Sequence, residues 1–476
     1  MAGAGATKKN TSVQARDASA IAAAIAALTA AFGNRVVTSL AVREQHGNTL
    51  TWVPNQPPDA VVFPQNTGDV QQIVRICADK GVPVIPFGVG TSLEGHINAP
   101  IGGVSIDVRD MNKMLAVHAE DLDCVVEPGI TRKALNEHLR DQGLFFPIDP
   151  GADASLGGMA ATRCSGTNAV RYGTMKDNVL AMKVVMANGE LMTTSRRAKK
   201  SAAGYDLTRL IVGSEGTLGV ITELTLKLSG IPEAIASGVC PFPSVDAACK
   251  ATILTIQSGI PVARIELLDA LQIKAVNAYS KLSLPEVPTL FVEFHGSDAG
   301  VAEQSLRFGD IVADLGGGPF DWATKPEDRS RLWQARHDGY HAARRLRPGA
   351  EAFATDVCVP ISRLAECVNA TQAATAELNL VAPILGHVGD GNFHLSLLVD
   401  MADADEVKRA GILMQRVVEL ALSMDGTCTG EHGVGQGKMK YLLAEHGAPA
   451  LAAMAAIKRA LDPQNIMNPG KIVALS

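Results

Sequence analysis

The segment at residues 385–395, LGHVGDGNFHL, constrains the fold of this chain more than any other stretch. Its letters GDGN lie between apolar flanks, and Gly, Asn and Asp tolerate the positive φ angles of tight turns. The sequence therefore predicts two antiparallel strands joined by a four-residue hairpin loop. In that register His387 lies directly opposite His394, with the two Cβ atoms roughly 4.5–5.5 Å apart.

Two imidazoles at that separation can share one metal ion. A third ligand follows in GTCTGEHGVGQG, where Glu431 and His432 occupy a glycine-rich loop. We predict a catalytic divalent metal, Zn²⁺ or Mn²⁺, on His387, His394 and Glu431. The alternative is a pair of strand histidines, one of them hydrogen-bonded in the core.

The length of 476 residues, 47% of them hydrophobic, allows a large core divided into two or three domains. The net charge of −6 gives no reason to expect nucleic acid or an anionic membrane surface as a partner.

The eight cysteines occur singly, without CxxC pairs, which argues against haem c, iron–sulfur clusters and structural zinc. Scattered free thiols suit a reducing compartment, so we expect a cytoplasmic protein that could associate peripherally with the inner membrane. The apolar stretch at residues 20–32 is mostly alanine and too short for a bilayer. It predicts an amphipathic helix of a soluble protein and no transmembrane segment.

A βα pattern begins at residues 60–64 and continues with a helix at residues 67–80, for which Thr67 and Asp69 supply cap chemistry. The next strand opens into PFGVGTSLEG, residues 86–95. Successive backbone amides in such a loop can bind a pyrophosphate, although a tight structural turn is the alternative. Leu93 replaces the third glycine of a Rossmann fingerprint, and no Gly-Lys-Ser/Thr of a Walker loop follows.

Two further segments in the first half are rich in small residues. Residues 148–173 could press their backbone against something flat and bulky, and residues 213–228 lead from a glycine turn into an alternating strand. A composition shift near residues 231–232 indicates a domain boundary. We expect an N-terminal helical segment at residues 1–54, a cofactor-binding domain at residues 55–232 and a substrate and metal-binding domain at residues 233–476.

The three glycine-rich segments together resemble the FAD-binding domain of the vanillyl-alcohol oxidase/p-cresol methylhydroxylase superfamily. The second half resembles the C-terminal domain of the FAD-linked D-2-hydroxy-acid dehydrogenases, nearest their cytochrome-linked branch. The motifs that carry this likeness are WQARHDGY, TDVCVP, GHVGDGNFH, TGEHGVG and LDPQNIMNPGK. The resemblance implies an α+β fold, with a two-subdomain FAD-binding domain followed by a substrate domain of antiparallel sheet and helices.

The resemblance also implies which residues contact FAD. Carried over by motif, they are Gly88, Gly90, Thr91, Ser92, Asp149, Ser155, Gly158, Thr162, Ser165, Gly219 and Ile221. Members with covalent flavin often carry a histidine inside the pyrophosphate loop, where this chain has Thr91 and Ser92. His96 lies beyond the loop, so we expect FAD to be held non-covalently.

The implied reaction is oxidation of a small D-2-hydroxy acid, with D-lactate to pyruvate as the predicted case. The flavin accepts a hydride, the metal polarises the substrate oxygen, and His432 is the candidate base for the hydroxyl proton. Arg336 is the candidate partner of the substrate carboxylate, with a surface salt bridge as its alternative role. The expected partners are this substrate and an external electron acceptor (a cytochrome, a quinone or an electron-transfer flavoprotein), and a homodimer is allowed.

Rival functions keep the fold and change the substrate, namely a D-2-hydroxyglutarate dehydrogenase or the flavin subunit of a glycolate oxidase. Relatives that take 2-hydroxyglutarate carry a lysine two positions before the aspartate matched here by Asp356. This chain has Ala354 there, which favours a monocarboxylate. A zinc hydrolase would leave the flavin-like loops without a purpose, and a flavin-binding electron-transfer or scaffolding subunit would have no chemistry of its own.

Overall fold

The computed structural model describes residues 16–48, 51–323 and 325–475. The first sheet contains β1 (Val36–Val37), β2 (Ala60–Val62), β3 (Val84–Phe87) and β4 (Val104–Asp107). Its strands lie in the order β1-β2-β4-β3, parallel except for β1. The helices of this part are α1 (Ala18–Phe32), α2 (Leu40–Gln45) and α3 (Thr67–Ala78). Since β1 pairs with β2, the N-terminal segment contributes a strand to the sheet of the predicted cofactor domain.

The cap of α3 differs from the sequence-based prediction. Asn66, not Thr67, precedes the helix, and its side-chain oxygen accepts the backbone N–H of Asp69 at 2.9 Å. A short side chain just outside the first turn can reach such a donor, whereas Thr67 already lies within the helix.

The second sheet is antiparallel, in the order β5-β6-β10-β8-β9, and β7 pairs separately with β11. The strands are β5 (Met114–His118), β6 (Asp123–Val126), β7 (Leu144–Phe145), β8 (Val179–Val185), β9 (Leu191–Thr193), β10 (Val220–Lys227) and β11 (Ser229–Gly230). The helices are α4 (Arg132–Leu139), α5 (Leu156–Thr162), α6 (Ala169–Tyr172), α7 (Met175–Asn178) and α8 (Leu207–Ile211). The predicted helix at residues 131–142 is therefore α4, with Thr131 as its cap, followed by a single 3₁₀ turn.

The third sheet is built from strands of the second half of the chain and is antiparallel. Its strands lie in the order β15-β12-β14-β13-β18-β19-β16, and β17 also pairs with β19. Its strands are β12 (Ala234–Pro241), β13 (Val262–Leu268), β14 (Thr289–Gly296), β15 (Asp321–Ala323), β16 (Glu351–Ala354), β17 (Val357–Cys358), β18 (Ile384–Gly386) and β19 (Asn392–Val399). The helices are α9 (Val245–Gln257), α10 (Ala270–Ser280), α11 (Asp298–Asp314), α12 (Pro326–His337), α13 (Gly339–Arg345), α14 (Leu364–Glu377), α15 (Ala404–Ser423) and α16 (Leu442–Leu461).

Alternate residues of these strands enter two different cores. Leu290 and Val292 pack with helices α9, α11, α14 and α15, whereas Phe291 packs with α10, α12 and α13. The period-two geometry of a strand sends neighbouring side chains to opposite faces, which is why the sheet is covered on both sides. Helix α12 is thereby held against the sheet with Arg336 near its end.

The hairpin at residues 385–395 exists, but its predicted register is wrong. Strands β18 and β19 pair with Leu385, not His387, opposite His394. A Cβ added at Gly386 would approach the backbone oxygen of Asn392 to 2.6 Å, and Gly391 turns the chain with φ +79°. His387 therefore lies in the loop. Its ring centroid is still only 5.4 Å from that of His394.

Helix α1 packs on the first sheet region and buries Ile21, Ala24, Leu28 and Phe32, mainly against α3. By length and composition alone, residues Ala18–Arg35 could also cross a membrane. The predicted absence of a transmembrane segment therefore stays a prediction.

The C-terminal tail returns to the first sheet. There Met467 forms an isolated parallel β-bridge with Val84, and Asn468 donates its backbone N–H to the Val84 carbonyl. This contact and the β1–β2 pairing both cross the predicted domain limits, which stay predictions.

Candidate active site

A cavity of about 450 Å³ lies between the glycine-rich segments of the first half and the third sheet. Its volume is in the range of cofactor and small-molecule sites. Most of the predicted FAD-contacting residues line it, namely Gly88, Gly90, Thr91, Ser92, Asp149, Ser155, Gly158, Thr162, Gly219 and Ile221. On the other side stand residues from the third sheet and its connections: Arg336, His387, His394, Glu431 and His432.

The loop at residues 86–95 approaches the start of α5 closely. A Cβ added at Gly88 would lie 2.1 Å from the Ser155 hydroxyl oxygen, and Gly90 adopts φ +72°. The hydroxyls of Ser92 and Ser155 are buried without a hydrogen-bond partner among the described residues. Buried polar atoms require partners, so these two hydroxyls fit a ligand with phosphate oxygens, and the cavity fits FAD.

Two of the polar residues that are assigned to FAD and line the cavity have partners within the protein. Asp149 accepts hydrogen bonds from the Thr167 hydroxyl at 2.6 Å and the Asn168 backbone at 2.8 Å, and it pairs with Arg264 at 3.2 Å. Thr162 donates its hydroxyl proton to the Gly158 carbonyl. Their side chains therefore brace the cavity wall as well as facing it.

The structure brings together the three predicted metal ligands. Oε1 of Glu431 lies 3.2 Å from Nε2 of His387 and 3.4 Å from Nε2 of His394. Ligand atoms bound at about 2.1 Å to a tetrahedral zinc ion lie about 3.4 Å from one another, so the spacing fits such a centre. Asp356, His394 and His432 form a second candidate group, but the Asp356 carboxylate is occupied by backbone donors.

Both histidines use their other ring nitrogen for orientation. Nδ1 of His387 lies 2.7 Å from Oε1 of Glu266, and Nδ1 of His394 lies 3.0 Å from the carbonyl oxygen of Thr355. A donor bond at Nδ1 leaves the Nε2 lone pair for a metal, as is usual for ligating histidines.

Two carboxylates face His387 and favour a positive charge there, which is either a proton on Nε2 or a metal ion that replaces this proton. Burial by itself lowers the pKa of His387, but the carboxylates of Glu266 and Glu431 together raise it well above its ordinary value. Burial likewise raises the pKa of Glu431, and His387 and His394 lower it well below the usual range. A carboxylate that strongly retains its charge beside two imidazoles suits a divalent metal.

His432, the predicted base, stacks on His394 with ring centroids 5.0 Å apart. Burial lowers the pKa of His432 to about 4, although the nearby Asp356 carboxylate acts in the opposite direction. The ring is therefore neutral near pH 7 and able to accept a proton. Its Nδ1 is buried, 4.0 Å from Oδ2 of Asp356.

Arg336 is a buried residue of the cavity wall, so its ion pair with Glu266 is not a surface salt bridge. Its Nε and Nη2 both contact Oε2 of Glu266, the Nε contact being 3.0 Å. The other oxygen of Glu266 holds His387. One carboxylate thus fixes both the candidate metal ligand and the candidate carboxylate-binding cation.

Ser165 stands apart from the other residues assigned to FAD. Its hydroxyl donates a 2.6 Å hydrogen bond to Oε2 of Glu431, a candidate metal ligand, and Ser165 is not among the described residues that line the cavity. Sequence reasoning also missed Glu266 and assigned no role to Asp356. Glu266 could have been noticed as a charged residue within the apolar strand VARIELL. Asp356 stands inside the TDVCVP motif.

The end of the cavity near α13 is lined by Tyr340, His341, Ala354 and Ser396. Among the described lining residues, Arg336 is the single arginine or lysine. The other arginines of this region point elsewhere: Arg345 lies over the Tyr279 ring, Arg347 pairs with Glu406, and Arg344 is 4.0 Å from Glu351. Trp333 packs in the core and donates its ring N–H to Ser237 at 3.1 Å.

Comparison with known proteins gives two family matches that together span most of the chain. Residues 58–195 match an FAD-binding domain, and residues 231–472 match the C-terminal domain of FAD-linked oxidases. The sequence-based resemblance to this family is confirmed.

Two similar curated relatives carry the name D-lactate dehydrogenase. A probable mitochondrial D-lactate dehydrogenase of Danio rerio is 53% identical and aligns over 92% of this chain and 88% of its own length. A mitochondrial D-lactate dehydrogenase (cytochrome) of Arabidopsis thaliana is 50% identical over 87% of this chain and 73% of its own. Both names place the relatives in mitochondria, so the predicted cytoplasmic location is wrong. Free cysteines indicate a reducing compartment without distinguishing one such compartment from another.

A solved structure of p-cresol methylhydroxylase with bound substrate superposes with a TM-score of 0.78 at 18% identity, covering 97% of this chain and 98% of that one. At this identity the likeness concerns the fold alone. The predicted fold class is confirmed.

Proposed function

The chain belongs to the FAD-linked oxidases, and from this premise we propose that it oxidises D-lactate to pyruvate with FAD and an external electron acceptor. One observation carries the proposal. A single wall of the cavity faces the flavin-type glycine segments, and it holds Arg336, Glu431, His432 and the two candidate ligand histidines. A cation, a metal group and a neutral base are the parts that oxidation of a 2-hydroxy acid requires besides a hydride acceptor.

Arg336 would bind the substrate carboxylate. Its guanidinium is buried and held by Glu266 through Nε and Nη2, so its orientation is set before substrate arrives. A planar fork of donors matches a carboxylate in geometry and charge. Because Glu266 contacts both Arg336 and His387, a carboxylate bound by Arg336 would lie on the same wall as the histidines.

His432 would remove the hydroxyl proton. Because Nδ1 is buried near Asp356, we assign the proton transfer to Nε2. The low pKa of about 4 keeps this nitrogen free to accept a proton at neutral pH. The hydroxyl proton goes to His432 as the C2 hydrogen leaves with its electron pair, which converts the alcohol carbon to a ketone.

FAD, when bound, supplies the acceptor for that hydride. A divalent metal, Zn²⁺ or Mn²⁺, on His387, His394 and Glu431 would polarise the substrate oxygen. Glu266 and Thr355 hold the two histidines with Nε2 available, and Ser165 holds Glu431.

We expect FAD to bind non-covalently. The loop positions nearest the predicted pyrophosphate are Thr91 and Ser92, and the loop at residues 86–95 contains no histidine. His96 lines the cavity, but its Nε2 lies 3.3 Å from Oε1 of Glu215 and 2.8 Å from where a Cβ at Gly433 would stand. His96 lies one residue beyond the loop at residues 86–95, and its ring faces Glu215.

The substrate preference follows from the end of the cavity near Ala354. Besides Arg336, which would hold the first carboxylate, the described lining residues include no arginine or lysine for a second one, and Arg344, Arg345 and Arg347 are directed away. Burying an unpaired carboxylate costs several kcal/mol. We therefore favour D-lactate, or a slightly longer monoacid, over D-2-hydroxyglutarate.

Anaerobic flavin reduction tests the proposal. D-lactate should bleach the flavin absorbance of the purified protein, and L-lactate and D-2-hydroxyglutarate should act at least about 100-fold more slowly in kcat/KM. Glycolate belongs in the same panel as the substrate of the rival flavin subunit. A protein without flavin would support the hydrolase, and flavin that none of these acids reduces would support an electron-transfer or scaffolding role.

A further inference from the structure

Asp356, between β16 and β17, has an unusual number of donors around its buried carboxylate. Oδ2 accepts the backbone N–H of Glu431 at 3.0 Å and of His432 at 2.7 Å, and the hydroxyl of Thr429 at 2.7 Å. Lys438 Nζ lies 3.4 Å from the same oxygen. A carboxylate with several N–H donors and a cation is fixed in both charge and position.

These donors belong to the loop that carries both the candidate metal ligand and the candidate base. The backbone carbonyl of Asp356 also accepts the N–H of Gly430 at 2.9 Å. With three successive amides directed at one residue, the path of the loop is set from residue 430 to residue 432. The side chains of Glu431 and His432 are thereby directed into the cavity.

The same loop is held from the first half of the chain. Lys438 pairs with Glu94, at the end of the glycine loop at residues 86–95, at 3.2 Å. Glu215 accepts the backbone N–H of Val434 at 2.7 Å and of Gly435 at 2.8 Å. Residues 429–438 therefore bridge the third sheet and the segments that line the cofactor cavity.

We infer that Asp356 is a positioning residue, which sets the orientation of Glu431 and His432 without touching the substrate and links that loop through Lys438 to the flavin side of the cavity. The inference rests on the proposed function, in which His432 is the base. Asp356 acts on turnover and not on substrate anchoring, because Arg336 is held by Glu266.

An amide at this position cannot satisfy the same donors. Oδ1 of Asp356 accepts the side-chain N–H of Asn392 at 3.0 Å, while Oδ2 faces the loop amides. In Asp356→Asn, one orientation of the amide turns its NH₂ toward the loop donors and the other turns it toward the Asn392 NH₂. In the first case two donors face each other. In the second they do so as well unless Asn392 turns its amide, which breaks its 2.8 Å hydrogen bond to the Val357 carbonyl.

The experiment compares the FAD-loaded full-length protein with Asp356→Asn and with the milder Thr429→Val, measuring bound flavin, melting temperature, kcat and KM for D-lactate. We expect Asp356→Asn to retain flavin and to lower kcat about 10- to 100-fold. KM should change by less than about threefold, since ground-state binding is intact. Thr429→Val removes a single donor and should lower kcat about 2- to 10-fold.

Glu406→Gln is the matched control. Glu406 is a buried carboxylate of the same half of the chain, paired with Arg347 outside the cavity. It should lower the melting temperature with kcat unchanged. Wild-type kcat in Asp356→Asn and Thr429→Val, or a rise in KM with kcat unchanged, would overturn the inference. If Asp356→Asn fails to fold, Thr429→Val alone tests the inference: a lowered kcat supports it and a wild-type kcat overturns it. Failure of the wild type to be reduced by D-lactate would instead reject the proposed function.

Discussion

The hydroxyl of Ser165 donates a 2.6 Å hydrogen bond to Oε2 of Glu431, joining residues that are 266 positions apart in the sequence. Ser165 belongs to the small-residue segment of the first half, and Glu431 is a candidate metal ligand in the second. The bond occupies one oxygen of Glu431 and leaves Oε1 facing His387 and His394.

Removing that hydroxyl should loosen the metal ligand. We expect Ser165→Ala to keep its flavin and to lose about 10- to 100-fold in metal affinity or turnover, as replacements behind a ligand commonly do. Metal titration of the chelator-treated variant measures this. Ser423→Ala, which removes an exposed hydroxyl bonded to Leu420, is the control. Unchanged metal affinity and turnover in Ser165→Ala would show that Glu431 needs no such support.

Flavin should be released completely by denaturation. The glycine segments provide backbone donors and two unpartnered buried hydroxyls, with no histidine inside the loop at residues 86–95. After acid or heat precipitation, the yellow colour should appear in the supernatant, quantified by its absorbance. Colour retained on the precipitated chain would contradict non-covalent binding.

Substitutions should distinguish the role of the candidate metal ligands from the role of the candidate base. His387→Ala or His394→Ala should leave FAD bound but lower metal content and reduce turnover by orders of magnitude. His432→Ala should keep the metal and lose the proton acceptor, a change of about 10²- to 10⁴-fold in kcat. Metal analysis together with steady-state rates measures both. Full activity in a variant shown to be metal-free would refute the metal group.

A lysine at residue 354 should broaden the substrate range. Ala354→Lys adds a second cation to the cavity wall. Among the described lining residues of the wild type, Arg336 is the single arginine or lysine. We expect kcat/KM for D-2-hydroxyglutarate to rise at least about 10-fold relative to D-lactate, because the second carboxylate gains a partner. Ala402→Lys adds the same charge at an exposed position and should leave the ratio unchanged. An unchanged ratio in Ala354→Lys would remove residue 354 from the specificity argument.

Glu293 should make stability depend on pH at the acid end. Burial raises the pKa of Glu293, but His295, Arg264 and Ser237 outweigh burial and lower the pKa from its ordinary value of 4.5 to about 2. The unfolded chain therefore takes up a proton at a higher pH than the folded chain. This contribution to stability is present above pH 4.5 and is lost as the pH falls toward about 2.

At roughly 1.4 kcal/mol per pKa unit, the loss amounts to about 3 kcal/mol. Glu293→Gln should be less stable than the wild type at pH 7 and should lose less of its stability between pH 5 and pH 3. Urea unfolding at a series of pH values measures the free energy. The exposed Glu137→Gln should keep the wild-type pH dependence, and a Glu293→Gln curve parallel to the wild type would contradict the assignment.

Much of the fold and of the site follows from short-range sequence signals. Gly, Asn and Asp at a turn, and alternation within strands, predicted the hairpin of β18 and β19. The motifs around His387, His394, Glu431 and His432 predicted a group that the structure does bring together. The hairpin register failed because loop length depends on how Gly386 packs against Phe393 and Asn392, which local propensity does not encode.

The amino-acid sequence by itself determined the family, the fold class and the residue types that can carry the chemistry, since motifs and periodicity are local properties. Only the tertiary structure decided which groups orient them. Glu266 reaches His387 across 121 positions, and Ser165 reaches Glu431 across 266. Such contacts depend on how sheets and loops pack, because a side chain meets its partner only after distant segments have been brought together.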